Sequence, residues 1–275
     1  VGRGDGFGAR LGEGDAMTTI RLEEDARGVA RLTLTRSEKR NALSGEMIEE
    51  LTAAAGEIAA STTIRVVVLA GEGDVFCAGG DLGWMRAQMA AEPAAQRRAA
   101  MGLAMMLKAL NEMPVPLIGR VQGNAFGGGI GLMSVCDVVV AVEGASFGLT
   151  ETRLGLTPAT IGPYVVARMG AARARRVFFS SRVFDVAEAV ELGLVARVAP
   201  ASGLDAAVER EVVPYLACAP GAVAEAKALA LRLGGGVDAA AISDSVDALV
   251  ARWKSPEASE GTRAFFEKRP ADWMR

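Results

Sequence analysis

An α/β fold, in which helices connect the strands of a mostly parallel sheet, is the fold class that the sequence predicts. Strand-length apolar runs alternate with amphipathic helical segments along residues 17–200. The run over residues 64–71, IRVVVLAG, is continuously apolar, which is typical of a strand covered on both faces. After Pro200 the pattern is helical throughout, so we expect a helical C-terminal region over residues 201–275.

The first elements of the chain follow from simple patterns. Residues 28–35 alternate apolar and polar side chains, as a half-buried strand does. Ser44 is a suitable N-cap for a helix, and the strand over residues 64–71 comes after that helix. The apolar side chains of the helix share one face: Met47, Leu51, Ala55 and Ile58.

The later elements are predicted in the same way. A long helix is expected over residues 87–113, with Met101, Met105, Leu107 and Leu110 as its apolar positions, and strands are expected within residues 114–121 and 136–149. Asp185 and Glu188 predict a helix start and Gly193 its end. Helices are then expected over 205–218, 221–233 and 238–253, and a last one opening at Ser255 and Pro256.

The composition limits the classes of protein that the chain can represent. It has 275 residues, 51% of them hydrophobic and 23% charged, with a formal net charge of -3. This is typical of a soluble globular protein, and we expect no nucleic-acid partner and no membrane partner. Three scattered cysteines give neither a disulfide framework nor a zinc pattern, so a cytoplasmic location is expected and no metal. The Gly-rich residues 1–16 are expected to be a flexible extension.

The histidine count of zero restricts the chemistry. It excludes Ser-His-Asp and Cys-His catalysis, as well as zinc sites of the H-E-x-x-H type. Proton transfer therefore has to use carboxylates, Lys, Tyr, Cys or water.

Two glycine-rich turns join an apolar strand to a helix, VFCAGGDLGWM over residues 75–85 and VQGNAFGGGIGLM over residues 121–133. Glycine allows a ligand to approach the backbone closely, at a helix start where N–H groups are unpaired. The turns lack the phosphate-binding motifs G-x-x-x-x-G-K-[ST] and G-x-G-x-x-G. Two readings stay open: tight strand–helix packing, or an oxyanion hole formed by two N–H groups from two loops.

Six segments, in this order along residues 17–270, resemble the crotonase superfamily, that is, the enoyl-CoA hydratase/isomerase family. The resemblance implies a crotonase-type spiral of ββα units over residues 17–200 and a helical trimerisation region over 201–275. It also implies a homotrimer or homohexamer, an acyl-CoA substrate, and no cofactor besides the coenzyme A of that thioester. The segments are EKRNALS, VFCAGGDL, VQGNAFGGGIGLMSVCDVVVA, ASFGLTETRLGLTP, FDVAEAVELGLVARV and SEGTRAFFEKRP.

The same resemblance assigns the chemistry. Gly80 and Gly128 match the two residues whose N–H groups polarise the thioester carbonyl, and Glu151 matches one catalytic acid. The family's other hydratase glutamate corresponds to Gly131 here, and the segment RLGLTPATIGPYVV resembles the methylglutaconyl-CoA hydratase branch. The function implied is hydration or dehydration of an enoyl-CoA. The alternatives are a single-glutamate Δ3-Δ2 enoyl-CoA isomerase and a non-catalytic acyl-CoA-binding scaffold.

The remaining site residues are also implied by the resemblance. Asp81 is expected to cap a helix or brace its loop rather than touch the substrate, and Asn124, Thr157 or a water are candidates for the hydrogen bonds that Gly131 cannot supply. Coenzyme A is expected to contact Arg40, Ala78, Leu82, Phe265 and Lys268, the last two often from a neighbouring subunit. The acyl pocket is expected to involve Trp84, Met85, Phe126, Gly131, Pro158 and Ile161.

Overall fold

The computed structural model describes residues 9–10 and 17–274. The flexible extension expected over residues 1–16 lies outside the described residues, apart from the two-residue strand β1 (Ala9–Arg10). The other strands are β2 (Ile20–Glu24), β3 (Val29–Leu34), β4 (Val66–Gly71), β5 (Val75–Cys77), β6 (Leu117–Val121), β7 (Asn124–Phe126), β8 (Val138–Val142), β9 (Ser146–Gly148), β10 (Val183–Asp185) and β11 (Arg197–Ala199).

The helices lie between the strands and then continue alone after β11. A 3-10 turn at Glu151–Leu154 follows β9. The helices are α1 (Gly45–Ala60), α2 (Leu82–Met89), α3 (Pro93–Glu112), α4 (Gly128–Ser134), α5 (Gly162–Met169), α6 (Ala171–Ala174), α7 (Val186–Glu191), α8 (Leu204–Leu216), α9 (Pro220–Leu233), α10 (Ala239–Trp253) and α11 (Pro256–Phe266).

The described residues form two sheets. The larger has the order β1-β2-β3-β4-β6-β8-β11 and the smaller β10-β9-β7-β5. Strands β4, β6 and β8 of the larger sheet are each followed by a strand of the smaller one, β5, β7 and β9, and then by a helix or 3-10 turn. These successive units confirm the predicted spiral of ββα turns.

The predicted helix starts are confirmed by their caps. Ser44 Oγ accepts a hydrogen bond from the Met47 N–H at 3.2 Å and begins α1. Asp185 does the same for α7, through the Glu188 N–H at 2.9 Å. The side chain of Glu188 does not complete a capping box, because it pairs with Arg182 instead.

The helix predicted over residues 87–113 is two helices. Helix α2 ends at Met89, and α3 begins with Pro93 in its first turn, where the missing proline N–H costs no hydrogen bond. Met105 of α3 was expected on the apolar face, but it is 43% exposed, whereas Leu107 and Leu110 are buried. Alanine and methionine occur all around this helix, so the sequence does not show clearly which face is buried.

The buried apolar side chains form separate clusters. The largest lies around the sheets and the helices α1, α3 and α4. A separate cluster joins α3 to the C-terminal helices, with Ala104, Leu249 and Trp253 among its members. Within residues 9–10 and 17–274, none of the helices combines the length and the apolar composition that crossing a membrane requires.

Candidate active site

The two glycine-rich turns lie side by side because the strands that precede them are paired. Strands β5 and β7 are parallel neighbours, with Cys77 opposite Ala125. Parallel strands end at the same edge of a sheet, so the turns leading into α2 and α4 meet there. A Cβ atom placed on Gly79 would lie only 3.5 Å from the Gly128 nitrogen.

The N–H groups of Gly80 and Gly128 are available to a ligand. Leu43 pairs with the first turn by donating to the Gly79 carbonyl and accepting from the Asp81 N–H, so the Gly80 N–H points to the other side. Gly128 is the first residue of α4, where an N–H has no intrahelical acceptor. Neither N–H has an acceptor within the part of the chain that the structure describes.

Close contacts and backbone conformation require glycine at two positions that are close in space, one in each turn. Gly79 has φ of 96° and Gly127 has φ of 47°, both in the region that other residues rarely adopt. A Cβ atom on Gly127 would lie 2.9 Å from Glu151 Oε1. Tight packing and an available pair of N–H groups are therefore both properties of these turns.

Glu151 begins the 3-10 turn after β9 and places its carboxyl group against Gly127. The residue as a whole is only partly buried, but its Oε2 is enclosed and has no hydrogen-bond partner among the described residues. Burial raises the pKa of Glu151 to about 7, because desolvation disfavours the carboxylate, while a hydrogen bond from its own backbone N–H opposes the shift. A carboxyl group with this pKa can both accept and return a proton near neutral pH.

Asp81 is a second acidic side chain beside the two turns. Its Oδ1 accepts from the Trp84 N–H at 3.0 Å, which caps α2 as predicted. Its Oδ2 accepts from Arg36 Nη2 at 3.1 Å. Burial opposes ionisation of Asp81, but these hydrogen bonds and the Arg36 charge lower its pKa below the usual range. Asp81 is thus a structural carboxylate.

A cavity of about 550 Å³ joins these groups. Gly80, Gly128 and Glu151 line it together, as the resemblance implies. The other predicted residues that line it are Arg40, Ala78, Leu82, Trp84, Met85, Phe126, Thr157, Pro158, Ile161 and Phe265.

Three predicted positions lie elsewhere in this chain. Gly131 does not line the cavity, because Ile161 occupies the space in front of it: a Cβ atom on Gly131 would be 2.5 Å from Ile161 Cγ2. Asn124 does not face the cavity either, since its Oδ1 accepts from the Ser146 N–H at 2.8 Å. Lys268 follows the end of α11 and is not among the lining residues, so its contact with coenzyme A from a neighbouring subunit stays a prediction.

Some residues that line the cavity are not predicted from the sequence. Leu249 and Trp253 come from α10, on the apolar face of the helix that the spacing does indicate, but the sequence does not show what that face covers. Lys39, beside Arg40 in the EKRNALS segment, also lines the cavity and adds a second positive charge to its lining.

Comparison with known proteins agrees with this fold. A family model described as enoyl-CoA hydratase/isomerase matches residues 24–275. The chain belongs to the enoyl-CoA hydratase/isomerase family, and its fold is the crotonase fold.

Individual relatives cover nearly the whole chain. Human mitochondrial methylglutaconyl-CoA hydratase is 31% identical over 277 residues, which span 96% of this chain and 79% of that protein. The crystal structure of an enoyl-CoA hydratase from Shewanella pealeana ATCC 700345 is 36% identical with a TM-score of 0.77, covering 94% of this chain and 96% of that one. An enoyl-CoA hydratase from Mycobacterium avium is 32% identical with a TM-score of 0.82, covering 94% and 99%. These relatives support an enzyme rather than a non-catalytic scaffold.

Proposed function

We propose that this enzyme adds water to the 2,3 double bond of a 2-enoyl-CoA thioester, or removes it in the reverse direction. The observation that carries the proposal is the pairing of two unoccupied backbone N–H groups, on Gly80 and Gly128, with the raised pKa of Glu151 in one cavity. The N–H groups would hold the thioester oxygen as negative charge develops on it. Because both are fixed by the backbone, little reorganisation accompanies the reaction.

The charges at the cavity orient the substrate in this proposal. Lys39 and Arg40 are among the lining residues, and their positive charges suit the phosphates of coenzyme A. The apolar lining side chains Leu103, Leu249 and Trp253 suit the acyl chain, and the part of the cavity that they line is called its acyl end. In this proposal the thioester lies between the two groups, beside Gly80 and Gly128.

The proton balance needs only one carboxyl group. The Glu151 carboxylate takes a proton from water as the water oxygen bonds to C3 and the π electrons move to form an enolate. The resulting carboxylic acid returns that proton to C2 as the enolate collapses to the thioester. Water has then been added across the double bond, and Glu151 is again a carboxylate.

Isomerisation of a 3-enoyl-CoA to a 2-enoyl-CoA is the second candidate. Of the acidic residues that line the described cavity, Glu151 and Asp81, the latter is held by Arg36. A single free carboxyl group is sufficient to move a proton from C2 to C4, which is the isomerase reaction. The relatives named as hydratases favour hydration of the two.

Assembly as a homotrimer or homohexamer, with a cytoplasmic location, completes the proposal. Helix α9, all of which is described, has no buried residue in the single chain. Leu229 and Leu233 of this helix are 47% and 79% exposed, and association of subunits would cover such apolar surface.

Supplying a 2-enoyl-CoA and a 3-enoyl-CoA separately to the purified protein tests the function. We expect the absorbance of the 2-enoyl thioester to fall, with formation of the 3-hydroxyacyl-CoA. Appearance of that absorbance from the 3-enoyl substrate, without loss of the 2-enoyl one, would assign the isomerase instead. No turnover of either compound would reject both candidates.

A further inference from the structure

Helix α10 contributes two apolar side chains to the acyl end of the cavity. Leu249 and Trp253 are four residues apart on this helix, so both face the same way, and they are 8% and 3% exposed. Leu103 of α3 also lines the cavity. In the proposed function the acyl chain lies against these three apolar side chains.

Trp253 also lines a second cleft. It has a volume of about 650 Å³ and lies between α2 and α11. Among the described residues, Trp253 is the one that lines both the cavity and this cleft. The cleft is also lined by Arg86, Met89, Pro256, Ser259 and Phe266.

The indole ring of Trp253 is held by packing rather than by a hydrogen bond. It makes an edge-to-face contact with Trp84, with ring centroids 6.2 Å apart and an interplanar angle of 81°. Its Nε1–H is buried and has no acceptor among the described residues. A buried donor without a partner costs free energy. Hydrogen bonding therefore does not explain a tryptophan at this position, whereas a large, flat apolar side chain that separates two spaces does.

We propose that Trp253 determines the length of the acyl chain that the enzyme accepts, by separating the acyl end of the cavity from the cleft between α2 and α11. This inference rests on the proposed enoyl-CoA function. Chains that end before the ring fit the cavity, and longer chains collide with it. Removing the ring joins the two spaces and gives a longer chain an exit along Met89 and Pro256.

The test compares wild type with Trp253→Ala across chains of about four to sixteen carbons. We measure kcat/KM with 2-enoyl-CoAs and, independently of turnover, Kd with the saturated acyl-CoAs. For wild type, both affinity and kcat/KM should fall about tenfold or more beyond a limiting length, since a single methylene in a closed apolar pocket is worth roughly 10- to 200-fold. In Trp253→Ala this limit should move to longer chains.

Two further variants make the outcome specific. Trp253→Phe leaves a smaller ring in the partition, so its limit should move to longer chains by less than that of Trp253→Ala; this keeps the inference testable if Trp253→Ala fails to fold. Trp273→Ala removes an exposed indole that lines neither space and should change nothing. Wild-type protein that binds the longest chains as tightly as the shortest, or a limit unmoved in Trp253→Ala, would overturn the inference. A limit that moves in Kd without turnover of any enoyl-CoA would instead reject the proposed function.

Discussion

Replacing Glu151 with Gln is expected to lower kcat/KM for 2-enoyl-CoA hydration by about 100- to 10,000-fold, the usual contribution of a positioned acid or base. The amide has nearly the same shape as the carboxyl group but cannot carry the proton between water and C2. Steady-state rates across a range of substrate concentrations measure this loss. Binding of a saturated acyl-CoA should change little, because neither N–H group is affected.

The pH dependence of the wild-type reaction is a second test of Glu151. Burial raises the pKa of Glu151 to about 7, and the reaction begins with the carboxylate. Therefore kcat/KM should be highest above that pH and decline as the pH falls through it, whereas the residual activity of the glutamine variant should lack this step. Glu143→Gln, the same change at an exposed position outside the cavity, is the matched control. Full activity in Glu151→Gln would remove the residue from the mechanism.

Removing the Gly128 N–H is expected to lower kcat/KM by about 100- to 1,000-fold, the usual cost of one oxyanion-hole donor. Gly128→Pro does this at the first position of α4, where proline is tolerated because that N–H has no intrahelical partner. Gly128→Ala is the matched variant that keeps the N–H. Comparing kcat/KM of the two separates the effect of the added Cβ atom from that of replacing the N–H by the proline ring.

The alanine variant is an informative control because both substitutions add a Cβ atom at the same place. That atom would lie 2.6 Å from Leu43 Cδ1, so both variants require Leu43 to move. Circular dichroism and thermal unfolding should show similar folding of the two proteins. Equal activity of the proline and alanine variants would show that the Gly128 N–H does not stabilise the transition state.

Much of the fold could be predicted because it follows from local rules. Strands β3 and β4 and the helix caps at Ser44 and Asp185 are determined by alternation, apolar runs and side-chain acceptors next to a helix. The turns around Gly80 and Gly128 could be predicted because their close contacts require glycine. The family resemblance then implied their function.

The rest depends on contacts that no local pattern contains. The sequence marks an apolar face on α10 but not its partner, so Trp253 and Leu249 were missed as walls of the cavity. Gly131 was expected in the acyl pocket, yet a residue 30 positions later, Ile161, covers it. Asn124 was one candidate for a hydrogen bond in the cavity, but its amide oxygen accepts from the Ser146 N–H and so links β7 to β9.

In the proposed mechanism, two backbone N–H groups converge on one thioester oxygen. A crystal structure of the Glu151→Gln variant with a bound 2-enoyl-CoA tests it most directly. We predict that the thioester oxygen lies about 3 Å from both the Gly80 and Gly128 nitrogens, with C2 and C3 beside residue 151. A thioester oxygen that is beyond hydrogen-bonding distance of both nitrogens would contradict the claim.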